Sequence, residues 1–545
     1  MKRSTVPWKA WNMRVYKKIF LIFTLLFALL FVKSWGSVTG FIYSHDDVVY
    51  YAQAASMVND LDVDIKNNLG SMYKNLYVPL HPETGKMMSY QPIGPSLLYA
   101  IPYACTKPFV LLLSALRGVA FDEYDPLFFV AICFSILVLF YYSGIFLLKA
   151  LERYFSGSVS RIAVIFTLWG TILPVYVFRR PVFAVIPEFF WVTLLLCYLA
   201  RLHTSGKLLF VNTAVFALIF GFISITRWND AYLLPFCLIF LAYIAQKGAP
   251  GRTGALGPMV RHCALFLIVF SGFFLCAQVS AWKSIYGNIG DFAAFYVSKH
   301  VTHVNLTAAY PAFPGLVTIK NLLHILLGLD WGVLFTMPVL FFGTIAFIVN
   351  DKLIVTSSKA LQRAFFASLF IAPFYFVLLW KNTGDFYGYR FLVSLLPFAA
   401  FGAASLIERH EKRNLKVVSA AVYCFCLANF FIILPFEFSD RVSLLPHTVT
   451  PLGGSGWGNN RYVLNAAMFY FTSDIKTLAS LFARGYAAFF IFGFLSKTGF
   501  DLARFSPKVQ SYFSLSSYRQ YVAIVYFLLV VSWAAFLTRD DPKKN

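Results

Sequence analysis

The chain has 545 residues, of which 59% are hydrophobic, 19% aromatic and only 13% charged, and its mean hydropathy is +0.69. An average soluble domain carries roughly 25% charged residues, so the composition excludes an ordinary soluble multidomain protein and points to repeated apolar runs of spanning length, about 20 residues each. The net charge of +22 does not mark a nucleic-acid partner, because the basic residues are spread over short loops between apolar runs and form no single face or arm.

In chain order, Lys2, Arg3, Lys9, Arg14, Lys17 and Lys18 precede an apolar run over 19–42. No convincing cleavage site follows, so this run reads as a retained first span with a cytoplasmic N-terminus. Further apolar segments are expected at 93–116, 126–148, 160–178, 182–200, 208–225, 231–246, 263–281, 331–349, 364–380, 391–407, 417–435, 478–496 and 520–537. The predicted fold class is all-α, a polytopic transmembrane helical bundle of about 12–14 spans with amphipathic helices in its first external loop. Basic residues cluster at 149–161, 201–207, 247–261, 352–363, 409–416 and 497–519, and successive clusters are separated by two apolar segments. That alternation predicts that all of them face the cytoplasm. Three segments lie between the basic N-terminus and the 149–161 loop, which breaks the alternation. The segment 93–116, interrupted by Pro95, Pro102 and Pro108, is the one expected not to cross, as a kinked or re-entrant element. The eight cysteines show no CxxC pair or metal-ligand spacing and read as small apolar side chains.

The opposite face then carries the loops 43–92, 178–181, 226–230, 282–330, 381–390 and 436–477, and with them the candidate chemistry. Ser44-His45-Asp46-Asp47 sets two adjacent carboxylates where the chain leaves its first span. Val48, Tyr51, Ala52, Ala55 and Val58 follow at helical spacing. A helix N-cap is the alternative use of Asp46 or Asp47, one that the paired, His-flanked setting at a membrane boundary makes the lesser. Tyr90-Gln91-Pro92-Ile93-Gly94-Pro95 returns the loop to the membrane, its Pro and Gly bending the backbone and permitting close approach. Arg179, Arg180, Arg227, Lys381 and Arg390 stand at membrane depth on the same face, where cations need anionic partners or water. Snorkelling to lipid headgroups is the alternative use of such cations. A carboxylate pair facing several cations suits sugar transfer from a lipid phosphate. The cations stabilise the departing phosphate, and the carboxylate takes the proton of the attacking hydroxyl. His81, His300, His303 and His324 give no convincing metal spacing, and no P-loop is present.

These residues resemble the GT-C glycosyltransferases, the superfamily of protein O-mannosyltransferases and lipid A aminoarabinose transferases, and look closest to bacterial members of the glycosyltransferase family 39 kind. Asp47 followed by Tyr51 and Ala52, the return Tyr90–Pro95, and Trp380, Phe386, Gly388 and Arg390 carry the match, which extends over roughly residues 20–410. The resemblance implies a GT-C-like catalytic module over 1–410, with the first external loop at 43–92. The resemblance further implies a polyprenyl-phosphate-linked sugar as donor, inversion at the anomeric carbon, and an Asp general base, Asp47 with Asp46 in reserve. The part over 411–545 has no counterpart in the resemblance; it is expected to add C-terminal transmembrane helices and the external loop 436–477, and acceptor recognition is placed there. Arg390, Lys381, Arg227, Arg180 and Arg179 are expected to hold donor phosphate, and His45, Tyr90, Gln91, Asp385 and Tyr387 the sugar or acceptor. The family has an acidic neighbour after its base where this chain has Val48. No cofactor is required by this chemistry and no metal site is assigned, a divalent cation being left open. The expected partners are the lipid-linked donor, a glycan, glycolipid or protein acceptor, and the bilayer, with no nucleic acid. The expected location is a bacterial inner membrane with the site on the periplasmic side. Two alternatives stay open: an oligosaccharide transferase or ligase, and a lipid or sugar transporter or flippase. The last predicts charges in mid-span, whereas the polar residues here crowd one face.

Overall fold

The computed structural model describes residues 8–35, 45–69, 79–206, 208–247, 256–301, 322–323, 325–327, 332–349, 352, 359–380, 389–438 and 525–533. Among them the sole extended pairing is an isolated antiparallel bridge between Leu80 and Met87, and the architecture is all-α. The helices are α1 (Trp8–Trp35), α2 (His45–Asn59), α3 (Gly94–Arg117), α4 (Pro126–Leu151), α5 (Gly157–Trp169), α6 (Leu173–Phe178), α7 (Val185–Ser205) and α8 (Phe210–Thr226). They continue as α9 (Leu234–Lys247), α10 (Leu256–Phe274), α11 (Ser280–Tyr286), α12 (Ile289–Val301), α13 (Val333–Thr336), α14 (Pro338–Ile348), α15 (Lys359–Trp380) and α16 (Leu396–Phe438). By length and composition alone, six helical stretches among the described residues suffice to cross a membrane. The protein is an integral membrane helical bundle.

The bundle has two chemically distinct ends, and α7 measures the distance between them. Its 21 residues span about 31 Å at 1.5 Å per residue, close to the thickness of a bilayer's hydrocarbon core. At its C-terminal end Arg153 donates to Thr204 (3.0 Å), and the Tyr154 hydroxyl meets His203 (2.8 Å). There too Lys352 donates to the Tyr154 carbonyl (2.9 Å) and to Glu408 (2.6 Å). Residues from the 149–161, 201–207 and 352–363 clusters thus meet beside Glu408, just ahead of the 409–416 cluster, as the charge alternation predicts. The acidic pair and the arginines of the first-loop face gather at the other end.

α3 lies across that second end. A Cβ on Gly94 would stand 2.6 Å from the Ile225 carbonyl oxygen in the last turn of α8, so only glycine permits this approach. Tyr99 donates to the Phe183 carbonyl (3.0 Å), and Tyr103 stacks on Phe128 with centroids 3.9 Å apart. At its far end Arg117 reaches Asp125 (3.4 Å), the N-cap of α4, and α4 then runs to the basic end. Both termini of α3 therefore contact the same end of the bundle, although its 24 residues are among the stretches long and apolar enough to cross a membrane. Its helix is continuous through Pro102 and Pro108, so the element expected to be kinked or re-entrant is a whole helix laid across the bundle.

α16 begins beside α7, and its first half brings Phe401 against Tyr154 and Phe155, with centroids 5.0 Å apart in each case. Its second half returns along α5, where Asn429 donates to the carbonyls of Trp169 (2.9 Å) and Thr171 (2.7 Å). Lipid gives no hydrophobic drive between helices, so close packing holds them. Phe20, Phe23, Phe27 and Phe140 surround Trp169 with centroids 5.3–5.6 Å away. A Cβ on Gly402 would overlap the Gly343 carbonyl oxygen, and α14 and α16 cross there backbone to backbone. Cys133, Cys237 and Cys426 are buried as expected, whereas Cys105, Cys276 and Cys424 face outward. Most of the loop 436–477 and the apolar segment 478–496 lie outside the described residues.

Candidate functional site

α2 opens with Asp46 and Asp47 in its first turn, where carboxylates complement the helix dipole. Neighbouring residues on a helix diverge by about 100°, so the two acids point to different places. Asp47 faces inward, is fully buried, and pairs with the buried Arg180. Asp46 keeps 21% of its side chain exposed and faces a cavity of about 130 Å³. Tyr51 anchors the helix, stacking on Phe129 at a centroid distance of 4.4 Å.

Asp46 is held from two sides. Its Oδ1 accepts from Gln91 Nε2 (3.1 Å), and its Oδ2 lies 3.3 Å from Arg390 Nη1. Gln91 is fixed in turn, its Oε1 accepting from the Ser89 hydroxyl (2.8 Å). A π-turn over Leu275–Val279 lays Gln278 inward, where its Oε1 accepts the Ile93 N–H (2.9 Å). The Tyr90–Gly94 return is thereby clamped between α8, the π-turn and α2, which is the work its Gly and Pro permit.

The cationic wall comes from two breaks in helix structure. Arg227 is the extended residue between α8 and a 3₁₀ turn (Trp228–Leu233), and Arg390 starts a second 3₁₀ turn (Arg390–Leu395). Arg227 Nη1 donates to the buried carboxylate of Glu188 on α7 and to the Arg390 carbonyl (2.7 Å). The Ser394 N–H donates to the same carboxylate at Oε1 (3.1 Å). Arg390 lies over the rings of Phe183 (4.6 Å) and Phe391 (5.2 Å), and Arg227 over Phe391 (4.7 Å). Tyr90, Tyr296 and Trp228 add an aromatic wall to the same cavity, with Trp228 and Tyr296 edge to face at 4.3 Å. Burial first, and then the Asp46 charge, push the Tyr90 phenol up to about 12, with Arg390 offsetting part of the rise. Burial and Asp46 also raise Tyr50 on the cavity floor.

Of the sequence candidates, Asp46, Tyr90, Gln91, Arg227 and Arg390 line one cavity. Asp47 and Arg180 sit behind it as a buried pair, and the half-buried Arg179 is not among its lining residues. His45 opens α2, but its side chain lies outside the described residues, as do Lys381, Asp385, Tyr387, Phe386 and Gly388 entirely. His81 lies 3.6 Å from Asp291, on the hairpin that packs beside α12. Among the described residues no group of three or more His, Cys, Asp or Glu is placed to hold a metal ion. Sequence reasoning missed Glu188, Phe183, Trp228, Tyr296 and Phe391. Glu188 carried a usable signal, being an acid inside the apolar run 182–200. The aromatics carried none in a chain with this many.

No family model matches the sequence, and the comparison with curated proteins gives no match. Among solved structures, the chain is similar to the Archaeoglobus fulgidus oligosaccharyltransferase tethered to an acceptor peptide containing the NVT sequon. The identity is 12% and the TM-score 0.43, over 79% of this chain and 55% of that one. It is also similar to archaeal oligosaccharyltransferase AglB from Archaeoglobus fulgidus in complex with an inhibitory peptide and a dolichol-phosphate, at 11% identity and a TM-score of 0.43, covering 94% and 61%. The apo form of the A. fulgidus enzyme aligns at 12% identity with a TM-score of 0.40. The chain spans little more than half the length of these structures, and likeness at this level assigns no activity.

Proposed function

We propose that this chain is an inverting membrane glycosyltransferase of the GT-C kind. It would move a sugar from a polyprenyl-phosphate donor to an acceptor hydroxyl at the Asp46 cavity. One observation carries the reading: a partly exposed carboxylate, two guanidinium groups and an aromatic wall share one small hollow at the end of the bundle opposite the basic loops. By the positive-inside pattern that end is the external face, periplasmic in a bacterial inner membrane, with the N-terminus cytoplasmic.

The donor phosphate meets Arg390 and Arg227, whose forked N–H groups match its oxygens. Phosphate at Arg390 competes with Asp46 for that guanidinium and leaves the carboxylate available. Asp46 then takes the proton of the acceptor hydroxyl. The acceptor oxygen bonds to the anomeric carbon from the side opposite the phosphate, and the bond from that carbon to the phosphate oxygen breaks. Its electron pair leaves with the polyprenyl phosphate, and the arginines stabilise the charge. Tyr90, Trp228 and Tyr296 offer ring faces to the sugar. Asp46 is favoured over Asp47 as the base, because Asp47 is enclosed with Arg180; the Asp47–Arg180 pair then braces the start of α2. Lys381, Asp385 and Tyr387 keep the phosphate- and sugar-binding roles the family resemblance implies.

The test is transfer from a panel of undecaprenyl-phosphate sugars by the full chain in nanodiscs. Asp46→Asn should cut transfer by about 10²- to 10⁴-fold while donor binding persists. Transfer retained by Asp46→Asn at the wild-type rate refutes the assignment. The lipid-linked sugar that accumulates in a strain lacking the protein, read by mass spectrometry, identifies the donor.

A further inference from the structure

Glu188 stands outside the cavity lining and has no role in the chemistry above. It is fully buried in the first turn of α7 and is the only acid in that helix. An ionised carboxylate at membrane depth is unfavourable unless paired, so what it pairs with is informative. Its two oxygens join parts of the chain far apart in sequence: one takes Arg227 Nη1, the other the Ser394 N–H. Arg227 also reaches the Arg390 carbonyl. Both arginines sit where helices are interrupted, so neither position is set by a continuous helical ladder.

We propose that Glu188 is a positioning residue that fixes the spacing of the Arg227 and Arg390 guanidinium groups for the donor phosphate, an inference that rests on the lipid-phosphate reading above. The bridge holds the backbone under Arg390 when phosphate draws its side chain away from Asp46. Without it, Arg227 and the Arg390–Leu395 turn stay joined through the Arg390 carbonyl and the Tyr232–Ser394 hydroxyl contact; the spacing of the two guanidinium groups loosens and two-point recognition of phosphate weakens, while the apolar contacts to the lipid chain stay.

The experiment compares binding of undecaprenyl phosphate and of undecaprenol to the full-length protein in nanodiscs. Wild type should prefer the phosphate. Glu188→Gln, which keeps the shape and the acceptor oxygen, should lose about 10- to 100-fold of that preference while undecaprenol binding is unchanged. Arg227→Ala should cost no more in the Glu188→Gln background than alone, as expected for residues acting as a unit. In turnover, the donor KM should rise and the acceptor KM stay. Glu188→Gln with wild-type preference, or additive losses, overturns the positioning role. Wild type without any preference for the phosphate overturns the donor reading itself. Should Glu188→Gln fail to fold, Glu188→Asp must show the loss, and its retaining full preference overturns the proposal.

Discussion

Replacing Asp47 by Asn separates bracing from catalysis more sharply than any other single change. Asp47 is 0% exposed, and the side chain of its partner Arg180 is 3% exposed. Arg180 also lies against the Phe183 ring, 5.2 Å from its centroid, and cannot reach water without moving α6 and the Arg180–Val185 segment. Removing the anion strands a guanidinium in a site built for an ion pair. Breaking such a buried pair costs about 3–5 kcal/mol. Asp46, 21% exposed and 3.3 Å from Arg390, should cost no more than about 1 kcal/mol on replacement by Asn, because solvent screens that pair. The assay is thermal unfolding of the detergent-solubilised protein followed by tryptophan fluorescence, beside sugar transfer at a temperature where each variant is folded. Asp47→Asn should lower the melting temperature strongly and keep part of its activity when cold. Asp46→Asn should melt near wild type and lose transfer by about 10²- to 10⁴-fold, the range of a lost general base. Asp47→Asn with Arg180→Gln, which removes both charges, should recover much of the lost stability. An Asp47→Asn protein that melts like wild type but transfers no sugar would refute both the bracing role and the choice of Asp46.

Gly94→Val should displace the Tyr90–Gly94 return from the Ile225 carbonyl, costing about 1–3 kcal/mol and weakening donor binding; a binding isotherm on the purified variant checks this. Gly402→Leu should separate α14 from α16 and lower the melting temperature without a selective effect on donor affinity in the protein that remains folded. Trp228→Ala should raise the donor KM more than it lowers the affinity for undecaprenyl phosphate without sugar, because its ring, edge to face with Tyr296 at the cavity, carries no charge for the phosphate; steady-state kinetics beside phosphate-lipid binding decides. The Tyr90 phenol, pushed up to about 12, stays protonated where the unfolded chain's phenol ionises near 10. Its contribution to stability is therefore complete below about pH 10 and is lost as pH rises towards 12. Tyr90→Phe should reduce the fall of the melting temperature across that alkaline window.

Membrane residence and the two-ended polarity were legible in the sequence, because lipid forces each crossing to be a contiguous apolar run and leaves charges at its ends. The alternation of basic clusters marked an odd segment ahead of 149–161, the prolines pointed to 93–116, and Gly94 with Pro95 marked a close approach. The first-loop acids, Tyr90, Gln91, Arg227 and Arg390 could be grouped because each breaks an apolar pattern on one face. Which acid meets the cavity could not be read. Asp46 and Asp47 are adjacent and chemically alike, and the rotation of α2 about its axis is set by Tyr51 against Phe129, a contact between residues far apart in the chain. The partner of Arg227 was hidden for the same reason: Glu188 and Ser394 reach it only when α7 and the Arg390–Leu395 turn pack together. Sequence pattern determines which residues must leave the lipid. Tertiary packing decides which of them face one another, because that depends on helix rotation and on contacts with no local signature.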